Sequence, residues 1–404
     1  MSKNKLTMRS ATRRQRGFSL VEILVGVLIG MIGIVVIFQV LAVAEQRKRN
    51  TTSGGDAQSA GSIGLYLLQR DAQQAGYGFE TAHSQHLGCT VHVYDKDRPA
   101  ESAAKSLDFP LVPALITQGV GNAPDTIALV KGNPTYSVTH REFTLKTGTD
   151  KASPLVLKLG RAGLDWGNVL VMAVRPDTGL TTGVKKCALV QLTHLPDGAT
   201  AVPGDPYEVQ HLTGYQDVNE MLPLKQLPGG ATTTPKYNQA SFPTNTEFDG
   251  IDGFLYDLGK QPRRTIWAAC SDAAIADANS PCFGKPQFRN KLITKETLFG
   301  FPEEEAADGI INLQAEYGID QNSDNMIGAN EWTVLPPDLT QSADPVNSLC
   351  KATRPSWRCV RAIRVAMLAR SAFFDKTACS PNPQWTSGVS GALTLTDFAM
   401  TDVN

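Results

Sequence analysis

No acidic side chain occurs before Glu22, no cysteine before Cys89, and in all 404 residues there are only six histidines. The chain also lacks GxSxG, HExxH and P-loop signatures, which removes the common hydrolase, metalloprotease and nucleotide-binding readings that rest on those motifs. No fixed-period repeat is present. Neither is there a basic stripe: Lys3, Lys5, Arg9, Arg13, Arg14 and Arg16 all fall within residues 1–17, and removing these six charges from the net −1 leaves −7 for the rest. A mildly acidic body without a cationic face gives no footprint for nucleic acid.

What is present is one long hydrophobic run. From Ile23 to Ala44 Gln39 is the only polar side chain in 22 residues, enough for a helix of about 33 Å, the thickness of a bilayer core. Six basic residues precede the run and three, Arg47, Lys48 and Arg49, follow it, which favours a cytoplasmic N-terminus and an exported body. A secretory signal peptide would need a shorter core ending at a small-residue site such as Ala42-Val43-Ala44. A plain anchor would explain length and charge. Neither accounts for Glu22, because a carboxylate inside a membrane segment costs on the order of 2.5 to 3.5 kcal/mol and calls for a named partner.

The stretch RRQRGFSLVEILVG, residues 13–26, resembles the class III leader of type IV prepilins and type II secretion pseudopilins. On that resemblance Gly17 precedes the cleavage site, Phe18 is the new methylated N-terminus, and Glu22 is the fifth-position glutamate that neutralises the amine of a neighbouring subunit. Gly26, Gly30 and Gly33 would permit close helix approach, or are simply the glycines common in membrane helices.

Thr51 to Gly55, TTSGG, reads as a break in the helix. Helical spacing resumes from Asp56 through Ile63 and Leu67, with a stop at Gly76, so residues 18–50 form the hydrophobic helix and 51–80 its continuation. Beyond it come short β-rich runs, TIALV from Thr126, NVLVMAV from Asn168, CALVQL from Cys187 and RAIRVAML from Arg361, together with the alternating INLQAEYG from Ile311. The expected fold is α+β and pilin-like: a long N-terminal helix packed on an antiparallel sheet, with residues 81–404 as a β-rich exported domain. The Pro-, Gly- and Thr-rich region 196–286 reads as a large insertion. EEEAAD, Glu303 to Asp308, reads as a solvated turn or short helix rather than an acid/base pair.

The segment DQNSDNMIGANE places Asp320, Asn322, Asp324 and Glu331 at positions 1, 3, 5 and 12 of a twelve-residue Ca²⁺ loop, with Met326 offering a carbonyl at position 7 and Gly328 leaving room for water at position 9. Asn325 stands where such loops have glycine. The competing reading is a polar turn between two strands. A second candidate, HSQHLGCTVH, supplies His83, His86, Cys89 and His92 for zinc or copper, but its spacing fits no familiar tetrahedral site, and an exposed loop with a disulfide cysteine explains it as well. Seven cysteines suit an oxidising compartment. Close spacing favours Cys270 with Cys282 and Cys350 with Cys359, leaving Cys89 with Cys187 and Cys379 as the odd one, although spacing alone does not decide connectivity.

YGIDQNSDN from Tyr317 and VRAIRVAMLARS from Val360 narrow the resemblance to the PilW family of minor type IV pilins. It implies a low-abundance subunit without enzymatic activity, held in the inner membrane by a single span with a periplasmic body and later carried in the pilus at the cell surface. Its implied partners are other minor pilins, the major pilin, prepilin peptidase, the inner-membrane assembly platform and a tip adhesin. A J-type minor pseudopilin of type II secretion and an exported adhesin or enzyme on the same anchor remain the alternatives.

Overall fold

The structure is a computed structural model that describes residues 17–79, 86–98, 106–120, 123–134, 140–145, 155–158, 160, 163–174, 186–193, 207–212, 235–238, 252–322, 324–328, 330–337, 350 and 357–371. It begins with a single helix, α1 (Leu20–Ala72), of 53 residues. The expected break at TTSGG does not occur. The Thr51 hydroxyl donates to the Arg47 carbonyl at 3.0 Å, and the helix runs on. Two glycines cost about 1 kcal/mol each in a helix, but propagation from formed turns on both sides carries a short weak stretch where nucleation alone would fail. After Ala72 the chain turns, and Gly76 at φ 88° ends it in left-handed geometry that favours glycine.

Two compact units divide the chain, with a boundary at Asp56 inside α1. In the first, every large apolar side chain from Leu20 to Val43 is half exposed or more. In the second, Leu68 is 2% exposed and joins a core with Ile127, Leu129, Trp267, Leu313 and Tyr317.

Sixteen strands follow among the described residues: β1 (Thr90–Tyr94), β2 (Ser106–Pro110), β3 (Ala114–Thr117), β4 (Thr126–Lys131), β5 (Arg141–Leu145), β6 (Leu155–Leu157), β7 (Val169–Val174) and β8 (Lys186–Gln191) in the first half. The second half supplies β9 (Tyr207–Val209), β10 (Asp252–Asp257), β11 (Arg263–Ala269), β12 (Lys291–Glu296), β13 (Glu304–Asp308), β14 (Ile310–Ile319), β15 (Trp332–Thr333) and β16 (Val360–Ala369). A short helix, α2 (Asp272–Ala276), is capped by the Ser271 side chain.

They build three sheets, ordered β2-β1-β8-β7-β10-β5-β6-β9, β13-β12-β11-β4-β3, and β15-β14-β16. Every pairing is antiparallel except β1 with β8, which is parallel. In the eight-stranded sheet alternate residues of β7 serve two cores: Val169, Val171 and Ala173 on one face, Leu170 and Met172 on the other. Burial on both faces is why NVLVMAV is apolar without alternation.

Two expectations need correction. First, the expected insertion at 196–286 does not hold for residues 252–269, where β10 and β11 are interior strands of two sheets. Second, Glu304–Asp308 is, among the described residues, an edge strand paired to β12, where Lys291 on the neighbouring strand pairs with Glu305 and Lys295 with the preceding Glu303. INLQAEYG forms the strand its alternation predicts, β14, and is buried on both faces. Asn312, Gln314 and Glu316 are each 6% exposed or less, because the polar set is bonded rather than solvated. Gln314 Nε2 donates to the Asn312 side chain at 3.2 Å, and Glu316 pairs with Arg364.

Candidate functional sites

At the N-terminal end Gly17 has nothing within 4 Å of where a side chain would begin, and Phe18 is 78% exposed. The helix proper starts at Leu20, so Glu22 lies in its first turn, where a carboxylate meets the positive end of the helix dipole. The following apolar window has a mean hydropathy of 2.9, and it is long and apolar enough to cross a membrane. In water such a surface has no stable state, so lipid or other helices must cover it. Gly26, Gly30 and Gly33 each leave open space beside the helix.

The second region is the loop between β14 and β15. Asp320, 2% exposed, follows the last residue of β14, and its N–H donates to the Cys359 carbonyl at 2.9 Å. Cys359 is bonded to Cys350, so the loop starts against a disulfide. Asp320 Oδ2 accepts from the Asn325 N–H at 3.0 Å, and Asn325 takes the left-handed conformation, φ 62°, expected of the residue standing in for glycine. Asn322 Oδ1 accepts from the Asp324 N–H at 2.9 Å, and Asp324 Oδ1 from the Met326 N–H at 2.7 Å. At the far end Glu331 receives the N–H of Gln321 at 2.9 Å on one oxygen and that of Gly328 at 2.7 Å on the other.

These bonds hold the carboxylates with backbone amides, and among the described residues no three acidic, histidine or cysteine side chains converge as a metal-holding group. Two contacts were not legible from the loop itself. Arg361 on β16 reaches Asn325 Oδ1 at 3.3 Å and lies 3.9 Å from Asp320. Trp332 and Ile327 close over Gly318, where an added methyl would sit about 3.0 and 3.1 Å from them. The only signal was Gly318 at the end of an otherwise side-chain-rich strand.

The histidine cluster disperses. His83 lies outside the described residues. His86 is 3% exposed, not on an exposed loop, with Nδ1 2.7 Å from the Tyr256 hydroxyl; Cys89 is in a disulfide and His92 faces Asp108 at 3.0 Å. The disulfides are Cys89–Cys187, Cys270–Cys282 and Cys350–Cys359. Cys379 lies outside the described residues.

Residues 12–38 match the model of the prokaryotic N-terminal methylation motif, and residues 287–390 match that of PilW, the type IV pilus-assembly protein W. This is a type IV pilus-related, pilin-like chain. The PilW match takes in β12 to β16, the Asp320–Glu331 loop and the Cys350–Cys359 bond. No curated protein and no solved structure matches the pilin-like chain. Both families point to a structural rather than a catalytic role, and the leader with its apolar helix fits a membrane-anchored pilin.

Proposed function

We propose that the chain is a minor type IV pilus subunit, held in the inner membrane by α1 with its β-rich body in the periplasm, cleaved by prepilin peptidase between Gly17 and Phe18, and used to initiate or cap the filament. The observation that carries this reading is the union of a methylation-motif leader with a PilW segment on one chain whose apolar helix half is wholly uncovered. Glu22 then pairs with the Phe18 amine of a neighbouring subunit. Its partners are other minor pilins, the major pilin, the assembly platform and a tip adhesin. The same chemistry would serve a J-type pseudopilin; the PilW match favours the pilus.

The deciding experiment is Glu22→Ala in the full chain. The variant is expected to insert in the membrane and be cleaved like the parent, yet be lost from sheared filaments, because removing one member of a buried charge pair strands the other. Normal incorporation of Glu22→Ala would refute the pairing role.

The loop from Asp320 to Glu331 is further proposed to take Ca²⁺ through Asp320, Asn322, Asp324, the Met326 carbonyl and Glu331, with a water beside Gly328. The 1-3-5-12 spacing and the left-handed Asn325 support it. Each carboxylate has lone pairs beyond those its backbone N–H bonds use, so the Asp324 and Glu331 groups can meet the ion while keeping those bonds.

A further inference from the structure

Lys236 is 4% exposed and Asp95 is 5% exposed. The Lys236 Nζ lies 3.2 Å from Asp95 Oδ1 and 3.5 Å from Asp97 Oδ2, so one buried amine sits between two carboxylates. The rings of Tyr237 and Phe299 flank it, their centroids 5.8 and 6.0 Å from Nζ. An ion pair at this depth recovers through mutual attraction only part of the hydration that both groups give up.

Both sides of the contact are held in place. Asp95 follows the last residue of β1, and its Oδ1 also accepts the Asp97 N–H at 3.0 Å, while Arg98 Nε lies 3.7 Å from its Oδ2. Opposite it, the Lys236 N–H donates to Gln191 Oε1 at 2.8 Å, and the Asn238 side chain exchanges hydrogen bonds with the Gln191 backbone. The Tyr237 hydroxyl donates to the Leu298 carbonyl at 3.0 Å, and the Lys96 N–H donates to the Lys236 carbonyl at 3.2 Å. These bonds fix where the long lysine side chain starts. The amine then stands at the separation, about 3 to 3.5 Å, at which an oriented nucleophile gains most over a free one.

We propose that Lys236 and Asp95 are joined by an intramolecular isopeptide bond. In the step that forms it, Nζ bonds to Asp95 Cγ and the Cγ–Oδ1 bond breaks. The ammonium gives up two of its three protons, both of which leave with Oδ1 as water, so atoms and charge balance and nothing is oxidised or reduced. Asp97, whose Oδ2 faces the amine and whose N–H already meets Oδ1, carries the protons across and ends in its starting state. Arg98 meets the negative charge that gathers on Oδ2 at the tetrahedral stage. The Asp97 side chain is 52% exposed, which leaves the water a way out. Condensation replaces two buried charges with a neutral amide, the species that suits the aromatic surroundings better. The bond ties the end of β1 to the segment clamped on Gln191 of β8.

Tandem mass spectrometry of the full chain, purified in detergent, reduced and digested with trypsin, tests the bond. The expected product is a branched peptide joining the Asp95 and Lys236 segments, one water lighter than its two parts, with no cleavage after Lys236. Separate linear peptides with cleavage after Lys236 overturn the proposal, as does a water loss that fragmentation places at an aspartyl succinimide. Lys236→Arg, which keeps the positive charge beside Asp95, should give linear peptides only; a branch at Asp95 in that variant also overturns it. Asp97→Asn, altered at a half-exposed side chain, should lower the linked fraction by about tenfold or more. An undiminished linked fraction in Asp97→Asn removes Asp97 from the step.

Discussion

The carboxylate of Asp71 joins the last turns of α1 to two strands at once: Oδ2 accepts from Trp267 Nε1 on β11 at 3.1 Å, and Oδ1 lies 2.5 Å from Lys131 Nζ on β4. Trp267 is 4% exposed, so its indole N–H has no recourse to solvent. Replacing Asp71 by alanine should therefore destabilise the body by about 2 kcal/mol, the cost of one stranded buried donor plus a lost charged contact. Asp71→Asn, which keeps an acceptor for the indole, should recover about half. Urea denaturation of the detergent-solubilised chain, followed by tryptophan fluorescence, measures both; equal midpoints for Asp71→Ala and the parent would dismiss the clamp.

Glycines on the same helix should respond in opposite directions. A methyl group at Gly54 or Gly55 meets nothing within 4 Å, so alanine there gains helix propensity alone, about 0.5 to 1 kcal/mol each. At Gly64 it would lie 3.1 Å from Leu292 Cδ2 and 3.4 Å from Met367 Sδ. Overpacking of that kind costs about 1 to 3 kcal/mol. Slower amide exchange across residues 51–55 in Gly54→Ala, and a lower melting point in Gly64→Ala, are the expected results.

Two carboxylates set opposite pH dependences. Burial opposes ionisation of Glu303, yet hydrogen bonds from Lys285 and Lys295 prevail and hold its pKa down to about 2, below the ordinary 4.5. Its contribution to stability is full above 4.5 and disappears as pH falls through 2. Asp257 behaves in the other sense, because burial outweighs the Gly259 N–H, Arg141 and Asn168 and lifts its pKa from 3.8 to about 6. The folded state there prefers the proton, so stability declines as pH rises from 3.8 through 6. Melting points measured across pH should lose the acid limb in Glu303→Gln and the decline near pH 6 in Asp257→Asn. An unchanged profile in either variant removes that assignment.

Millimolar Ca²⁺ should raise the melting midpoint if the proposed loop binds it, since an ion that binds only the folded state stabilises by mass action. Asp324→Ala, which removes the oxygen ligand of an exposed side chain, should largely remove the shift. The same midpoint with Ca²⁺ and with chelator rules the ion out.

Sequence reading was most informative where one local rule acts alone. The apolar length of α1 and the strand runs at Thr126, Asn168 and Cys187 follow from composition, and close spacing favoured the Cys270–Cys282 and Cys350–Cys359 pairs that form. It was weakest where a tertiary partner overrides the local pattern. TTSGG has the residues of a break but sits between long helical segments that propagate through it. INLQAEYG shows the alternation of a half-exposed strand, yet its polar face is buried because Arg364 and neighbouring side chains satisfy it. FLYDLG lies in loop-rich sequence, and only pairing with β5 and β7 reveals it as an interior strand. At the Asp320 loop the oxygen spacing was legible, whereas Cys359, on the turn before β16, and Arg361, on β16, lie some forty residues on and leave no trace in the loop itself.

The parallel pairing of β1 with β8 has a bearing on timing. The disulfide that fastens the pair spans a sequence separation of 98 residues. At synthesis rates of about 5 to 20 residues per second, β1 exists for roughly 5 to 20 s before β8 is made. During that interval β2 can close one side of β1 as a hairpin-like neighbour, but the other side stays open, and Cys89 is without its mate. Completion of the eight-stranded sheet therefore waits for a segment made long after β1, and the Cys89–Cys187 bond records that the two distant stretches have met.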